Sequence, residues 1–261
     1  MASRAAKKPS NSPLRSFLRR AFRFTFKWTL TISVWGVIAA LLVGGWYASD
    51  LPDADEALRA TRKPTVTLVS VNGTVITTRG ELYGLPVQLS QLPAALPHAV
   101  LATEDRRFYN HFGLDLISLA RATWRNFRAR GIVQGGSTIT QQAAKNLFLT
   151  PERSLERKFK ELMLALWLEH KFTKDQILTL YLNRVYFGAG TYGVDAAARR
   201  YFNKPVTQVS TYESAMLAGL LKAPSRYNPR YNPDRAKRRT AQVLANMVAA
   251  GYISEKQAKS A

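Results

Sequence analysis

Apolar residues recur at intervals of three and four along most of the chain beyond Pro97. Phe159, Leu162, Met163 and Leu166 form one such set. This spacing places the apolar side chains on one face of a helix. It predicts a mainly α-helical protein, with helices over approximately these ranges: 114–130, 137–149, 153–171, 173–186, 194–202, 212–222, 233–250 and onwards from 254.

A different pattern occupies Thr65–Thr78, where two runs rich in β-branched residues flank Asn72-Gly73. Glycine supplies the positive φ of a type I′ turn, so the segment predicts a β-hairpin. The same turn includes a glycosylation sequon, but the turn explains these residues better. Prolines at positions 86, 93 and 97 then indicate a loop region.

An uncharged stretch covers residues 28–49 and follows a basic N-terminus. Residues 1–27 carry eight basic residues and no acidic one, whereas acidic residues follow the stretch directly. At about 1.5 Å per residue, such a helix spans a hydrocarbon core of about 30 Å. Trp28 and Trp46 stand at its ends, as interfacial anchors do, and the charge bias predicts a cytoplasmic N-terminus. A cleaved signal peptide is the alternative, although its apolar core is usually only about 7 to 15 residues long.

Composition narrows the function classes. The 261 residues include no cysteine and only three histidines, far apart in sequence, which excludes a disulfide framework and a thiolate zinc site. The net charge of +21 favours a partner that carries negative charge: nucleic acid, anionic lipid or a phosphate-bearing substrate. The predicted topology argues against nucleic acid, because it places the bulk of the chain outside the cytoplasm.

One segment that can carry chemistry is AVLATEDRRFYNHFG, residues 99–113. An apolar run ends in two adjacent carboxylates, Glu104 and Asp105. A carboxylate at the edge of an apolar patch can serve as a general base. The alternative is a helix end whose solvated charges pair locally.

A second segment is QGGSTITQQAAKNLF, residues 134–148. Thr138 and Gln141 fit a capping box at a helix start, and a helix N-terminus that follows glycines offers free N–H groups to an anion. Lys145 lies two turns further on and could add a positive charge for phosphate. An ordinary helix cap with exposed polar residues is the alternative.

A third segment covers residues 152–171. Arg157 and Glu161 stand at i and i+4 and share a helix face, with Lys158 beside them. This group is either a surface ion pair or a carboxylate held among the cations of a phosphate site. Two further segments, residues 177–202 and 217–229, are rich in glycine, tyrosine and leucine, and we interpret them as scaffold.

In this order the segments resemble the peptidoglycan glycosyltransferase domain (glycosyltransferase family 51). That domain occurs in class A penicillin-binding proteins and in monofunctional peptidoglycan glycosyltransferases. The resemblance covers residues 89–253 almost continuously. It rests on these strings: TEDRRFYNHFG, GGSTITQQ with KN, RKFKE with LE, YLNRVYFGAGTYG and LAGLLKAPS.

The resemblance implies a lysozyme-like glycosyltransferase domain with a membrane-associated lobe. It implies that lipid II is polymerised into β-1,4-linked glycan strands, with Glu104 as general base and Glu161 as the second acidic residue. The substrate-binding residues that it implies are Asp105, Ser137, Thr138, Gln141, Gln142, Lys145, Asn146, Arg153, Arg157 and Lys158.

The implied chemistry leads to three expectations. We expect Glu104 and Glu161 to face one cleft without touching, because the nucleophile is a whole incoming sugar and inverting enzymes already need roughly 6.5 to 9.5 Å between their carboxyl groups. We expect no obligatory cofactor, although Glu161 could instead help to hold Mg or Mn at the pyrophosphate. We expect the basic-aromatic segment 120–133 to lie at the membrane surface.

The predicted organisation is a cytoplasmic tail (1–27), a signal anchor (28–49), a spacer with the hairpin (50–88) and the glycosyltransferase domain (89–261). We expect a single-pass protein of the bacterial inner membrane with a periplasmic catalytic domain. No S-x-x-K or K-T-G string occurs, so no transpeptidase site is present. We interpret the chain as part of a class A penicillin-binding protein.

Other functions remain open at this point. A monofunctional glycosyltransferase, a lytic glycan-cleaving enzyme and a non-catalytic scaffold of the cell-wall machinery are the alternatives. The lytic enzyme has less need of the cations, and the two glutamates argue against a scaffold. Further cell-wall synthesis or division proteins could be partners of the chain.

Overall fold

The structure of the protein is a computed structural model that describes these residues: 13–48, 66–72, 75–131, 135–149 and 154–261. The chain divides into two compact units, one within residues 1–51 and the other within residues 52–261. The described part of the first unit is helix α1 (Pro13–Ala48). Within the described ranges, none of the helices combines the length and the apolarity that a membrane crossing needs. The anchor predicted over residues 28–49 stays a prediction.

The second unit is mainly helical, as the apolar spacing predicts. Its described helices are α2 (Ala95–Glu104), α3 (Leu116–Arg128), α4 (Ile139–Phe148), α5 (Leu155–Lys171), α6 (Lys174–Arg184), α7 (Val194–Phe202), α8 (Thr211–Leu220), α9 (Pro233–Ala249) and α10 (Glu255–Ser260). Short 3-10 turns cover Leu89–Gln91, Phe108–Asn110 and Val206–Gln208. The predicted helices are present, with ends within about two residues of the expected positions.

Helix α2 is the described helix that the sequence pattern did not predict, because prolines 93 and 97 pointed to a loop. Pro97 lies in the first turn of α2. A proline is tolerated there, since the N–H that it lacks would have no partner within the helix.

Two small sheets accompany the helices. Strands β1 (Val66–Val69) and β2 (Val75–Arg79) pair antiparallel, while residues 73 and 74 of the predicted turn lie outside the described residues. Strand β5 (Thr191–Tyr192) pairs parallel with β3 (Leu82–Tyr83) and antiparallel with β4 (Tyr186–Gly188). The segment that contains β4 and β5 was interpreted as scaffold between two predicted helices, so this sheet was not predicted.

Two polar side chains, the half-buried Asn183 and the buried Asp195, hold the chain beyond β3 against the helices. Asn183 of α6 accepts from the Val87 N–H (3.0 Å) and donates to the Val87 carbonyl (2.8 Å). Asp195 of α7 accepts from the Leu85 N–H at 3.3 Å. A Cβ at Gly84 would lie 2.3 Å from the Ala196 nitrogen, so only glycine allows this close approach.

The core lies in two groups of helices. Helix α2 packs against α8 and α9, and helix α4 packs against α5 and α6. Leu96, Leu217 and Met247 are fully buried positions of the first group, while Ile139 and Leu168 are fully buried positions of the second. The mainly α-helical class is therefore confirmed, whereas the lysozyme-like arrangement and the membrane lobe stay predictions.

Candidate active site

A cavity of about 350 Å³ lies at the C-terminal end of α2. Its walls come from that helix end and the loop behind it, from α3, from the glycines before α4 and from α9. The residues lining it are Ala102–Arg107, Asp115, Ser118, Arg121, Arg125, Gly135–Thr138 and Asn246. The fold thus brings together four of the predicted site residues: Glu104, Asp105, Ser137 and Thr138.

Glu104 is the last residue of α2 and is half-buried at this cavity. The side-chain amide of Gln142 donates to its Oε2 at 3.0 Å. Burial raises the pKa of Glu104, and it outweighs the lowering effects of the Gln142 hydrogen bond and of the charges on Arg239 and Lys222. A carboxylate with a raised pKa is a stronger base than an ordinary glutamate, which suits it to accept a proton near neutral pH.

A second carboxyl group in the cavity, that of Asp115, has a pKa that is shifted in the opposite direction from that of Glu104. Burial by itself would raise the pKa of Asp115, but hydrogen bonds from Ser118 and the charge of Arg107 outweigh it, so the pKa is lowered. Asp115 is also the N-cap of α3, where it accepts from the N–H groups of Ile117 and Ser118. Two carboxyl groups whose pKa values move apart in one cavity are typical of an acid–base site.

Asp105 serves the protein's own structure. Its Oδ2 accepts from the N–H of Ile139, the first residue of α4, at 3.1 Å, and lies 2.9 Å from Nε2 of His111. Asp105 is 8% exposed and lines the cavity. Substrate binding by Asp105 stays a prediction, whereas capping of α4 is what its contacts show. Sequence analysis did not assign His111 to the site.

Thr138 and Gln141 form the capping box that the sequence predicts. The Thr138 hydroxyl accepts from the Gln141 N–H, and the Gln141 amide oxygen accepts from the Thr138 N–H. Thr138 also donates to the Gly113 carbonyl at 2.7 Å. Both side chains are buried and engaged with the backbone, so their contacts position α4.

Glu161 is buried among the two cations that the sequence placed on its face of α5. Arg157 Nη1 donates to its Oε2 at 3.0 Å, and Lys158 Nζ donates to its Oε1 at 2.5 Å. Lys158 Nζ also donates to Ser137 Oγ at 3.0 Å. This contact links the Glu161 cluster to a residue of the cavity wall, although Glu161 is not among the residues that line the cavity. The expectation that Glu104 and Glu161 face one cleft stays a prediction.

The remaining predicted residues are placed as follows. Gln142 contacts Glu104 as described above. Lys145 and Asn146 are exposed on α4. Arg153 lies outside the described residues. Substrate binding by these residues stays a prediction.

Sequence analysis missed most of the positive charge at the cavity. Arg106, Arg107, Arg121 and Arg125 line it, and the last two were assigned to a membrane-surface segment. A signal was present, because Ser118, Arg121 and Arg125 follow at intervals of three and four and therefore share one face of α3.

Another face of α3 is apolar and exposed. A shallow groove is lined by Leu116, Leu119, Ala120, Thr123, Trp124 and Phe127. Trp124 is 64% and Phe127 77% exposed, and their rings lie 6.4 Å apart. Large aromatic side chains exposed side by side indicate an interaction surface. One helix therefore presents cations to the cavity and apolar side chains to the outside.

Comparison with known proteins identifies the family. The sequence model of the Transglycosylase family matches residues 72–248 of this chain. The chain belongs to the transglycosylase family.

The named relatives are penicillin-binding proteins. Penicillin-binding protein 1A of Aquifex aeolicus is 45% identical over 237 residues, which is 89% of this chain and 33% of that protein. Penicillin-binding protein 1A of Escherichia coli is 45% identical over 207 residues, 79% of this chain and 24% of that protein. The crystal structure of penicillin-binding protein 1A from Haemophilus influenzae aligns with 77% of this chain and 20% of that chain, at 26% identity and a TM-score of 0.46. The chain thus spans a third or less of the length of these relatives.

Proposed function

We propose that this chain is the glycosyltransferase part of a class A penicillin-binding protein. In this proposal it polymerises lipid II into β-1,4-linked glycan strands and releases undecaprenyl pyrophosphate. The observation that carries the proposal is the half-buried Glu104 carboxyl group, with its raised pKa, at a cavity lined by arginines in a chain of the transglycosylase family.

Glu104 acts as the general base. The 4-hydroxyl of the acceptor sugar is a weak nucleophile, and Glu104 takes its proton as the oxygen attacks C1 of the donor. The new O4–C1 bond forms while the C1–O bond to the pyrophosphate breaks, and the pyrophosphate leaves with the electron pair. A single displacement inverts the α-linked donor to a β-linkage.

The leaving pyrophosphate needs positive charge more than a proton. Lys158 donates to Ser137 of the cavity wall and to Glu161. In this proposal it contacts the pyrophosphate, while Glu161 keeps its ammonium group in position. In this proposal, Lys145 and Arg153 are further cations that contact the leaving pyrophosphate. Each carboxylate oxygen of Glu161 already accepts from a cation, and the positive charge of Arg157 and Lys158 disfavours a divalent metal at this position. We therefore propose no obligatory metal, and Mg or Mn as a stimulant at most.

The domain works at a membrane in this proposal. The exposed apolar face of α3 inserts among lipid headgroups, and the arginines of the same helix meet anionic lipid and the substrate's phosphates. The uncharged stretch 28–49 serves as a single-pass anchor in the bacterial inner membrane, with a cytoplasmic tail before it and the catalytic domain in the periplasm. Contacts with other cell-wall synthesis or division proteins stay a prediction.

A lytic enzyme is the second candidate, because a single glutamate acid–base is enough for glycan cleavage. The cluster of Arg157, Lys158 and Glu161 favours the synthetic reaction, since cleavage of a neutral glycosidic bond has no pyrophosphate to neutralise.

The experiment that tests the proposal incubates the full chain with fluorescent lipid II in detergent or vesicles, and separately with purified glycan strands. We expect polymer from lipid II, with equimolar release of undecaprenyl pyrophosphate, and no shortening of the glycan strands. Parallel reactions with EDTA, Mg and Mn test the metal proposal. Shortened strands without polymer would favour the lytic enzyme, and the absence of both products would contradict enzymatic function.

A further inference from the structure

A buried hydrogen-bonded series of three side chains ends at Glu104. Tyr181, a fully buried residue of α6, donates its hydroxyl hydrogen to Gln142 Oε1 at 3.1 Å. Gln142 Nε2 in turn donates to Glu104 Oε2 at 3.0 Å. The series joins α6, α4 and α2, and so it connects the two helix groups of the core at the reacting carboxyl group.

The direction of the series depends on the charge of Glu104. An ionised carboxylate can only accept hydrogen bonds, so the Gln142 amide must present its NH₂ group to Glu104 and its oxygen to Tyr181. With the amide turned over, its oxygen would face the carboxylate. The hydroxyl hydrogen of Tyr181 would then lie in the core without this acceptor, which is unfavourable for a buried donor.

Tyr181 remains a donor throughout the working pH range. Burial and, to a smaller extent, the nearby charge of Glu104 raise the pKa of Tyr181 well above its ordinary value. The hydroxyl group is therefore protonated at neutral pH.

We propose that Tyr181 is a positioning residue whose hydroxyl fixes the Gln142 amide, so that Gln142 holds Oε2 of the Glu104 carboxylate and leaves Oε1 for the acceptor sugar hydroxyl. This inference rests on the proposed role of Glu104 as general base.

The other charged groups near Glu104 do not depend on Tyr181. On the elements packed against α2, Arg239 of α9 and Lys222 beyond α8 lower the pKa of Glu104, while its neighbour Asp105 raises it. Removing one hydroxyl from α6 leaves these three charges in place. A change in the titration of Glu104 would thus reflect a change in the hydrogen bond that the Gln142 amide donates to it.

The test compares Tyr181→Phe with the unmodified full chain in lipid II polymerisation. We expect the acid limb of the kcat/KM profile to move to higher pH, with a loss of about tenfold on that limb and little change on the plateau. Tyr201→Phe is the matched control, because its hydroxyl donates to the Phe187 carbonyl at 3.0 Å. We expect the acid limb of the kcat/KM profile of this control to lie at the same pH as in the unmodified chain. A uniform loss at all pH values would indicate a merely structural role and overturn the proposal.

A double-mutant cycle tests whether Tyr181 acts through Gln142. Gln142→Leu removes the donor to Glu104 and should move the acid limb in the same direction. Because the tyrosine needs the amide, adding Tyr181→Phe to Gln142→Leu should cause no further displacement. Additive displacements would contradict the proposal.

A titration without substrate separates this inference from the proposed function. The Glu104 carboxyl signal is followed by carbon-13 NMR and assigned by its loss in Glu104→Gln. Its midpoint should move to higher pH in both Tyr181→Phe and Gln142→Leu. A moved midpoint in a chain that polymerises nothing would leave the hydrogen-bond series standing and refute the proposed function. An unmoved midpoint in Gln142→Leu would refute the series, even if Tyr181→Phe did not fold.

Discussion

Glu104→Gln is the substitution that tests most of the reasoning at once. The amide keeps the shape of the carboxyl group, and its oxygen can still accept from Gln142, whose Nε2 lies 3.0 Å from Oε2. The charge and the proton-accepting ability are lost. We expect the fold to be retained and polymerisation to fall roughly 10²- to 10⁴-fold, the contribution of general acid–base catalysis.

The same substitution should stabilise the protein at neutral pH. Because burial raises the pKa of Glu104, the folded protein binds this proton more tightly than the unfolded chain does. The free energy of unfolding therefore falls as the pH rises from the ordinary value of 4.5 to the raised value, by at most about 1.4 kcal/mol per pH unit, and the loss is complete above it. Glutamine has no such loss, so the two stabilities should converge below pH 4.5 and diverge above it.

The assay pairs polymerisation rates with urea unfolding of the same preparations between pH 4 and pH 8. Glu156→Gln is the matched control, because Glu156 is exposed on α5 and pairs only with Lys160 among the described residues. The control should keep its activity and show no gain in stability at neutral pH. Activity close to the unmodified level in Glu104→Gln would remove Glu104 from the mechanism. Lower stability of Glu104→Gln at neutral pH would refute the burial argument.

Two further substitutions test the substrate and membrane proposals. Lys145→Ala should lower turnover of lipid II with an unchanged unfolding temperature, because Lys145 is exposed. Arg157→Ala should lower both, since it removes one of the two cations that pair with the buried Glu161, at a cost of about 1.5–3 kcal/mol. Unchanged turnover in both variants would contradict the pyrophosphate assignment. Replacing Trp124 and Phe127 together by serine should weaken sedimentation with anionic vesicles, while serine at Tyr231, which is 78% exposed, serves as the control. Equal binding by all three proteins would refute insertion of α3.

Apart from α2, the helices of the second unit could be predicted from the sequence because apolar residues recur in them at regular helical spacing. The Arg157–Glu161 pair and the Thr138–Gln141 capping box could also be predicted, because the partners of each contact are only three or four residues apart in sequence. The three-stranded sheet could not. Its strands are two or three residues long, and β3 reaches its partner across more than a hundred residues of chain.

The cavity was predicted only in part, because the residues that line it come from distant parts of the sequence. Glu104 and Ser137 are distant in sequence, and only the resemblance to a family placed them in one site. The arginines of α3 were assigned to a membrane surface, because a helix with both basic and aromatic faces fits that role and the sequence does not show which face meets the cavity. Tyr181 gave no sign of a role at the site, since its segment was interpreted as scaffold and a buried tyrosine is ordinary core.

Two adjacent carboxyl groups at the cavity make different contacts, because Asp105 caps the start of α4 whereas Glu104 accepts from Gln142. Asp105 accepts from the N–H of Ile139, where the partial positive charge of the α4 N-terminus favours an anion. Gln142 lies three residues beyond Ile139, so this cap also sets the position of the amide that contacts Glu104. The charge on Asp105 in turn helps to raise the pKa of Glu104. The capping carboxylate thus aligns the two helices and also helps to raise the pKa of the carboxyl group that we propose as the base.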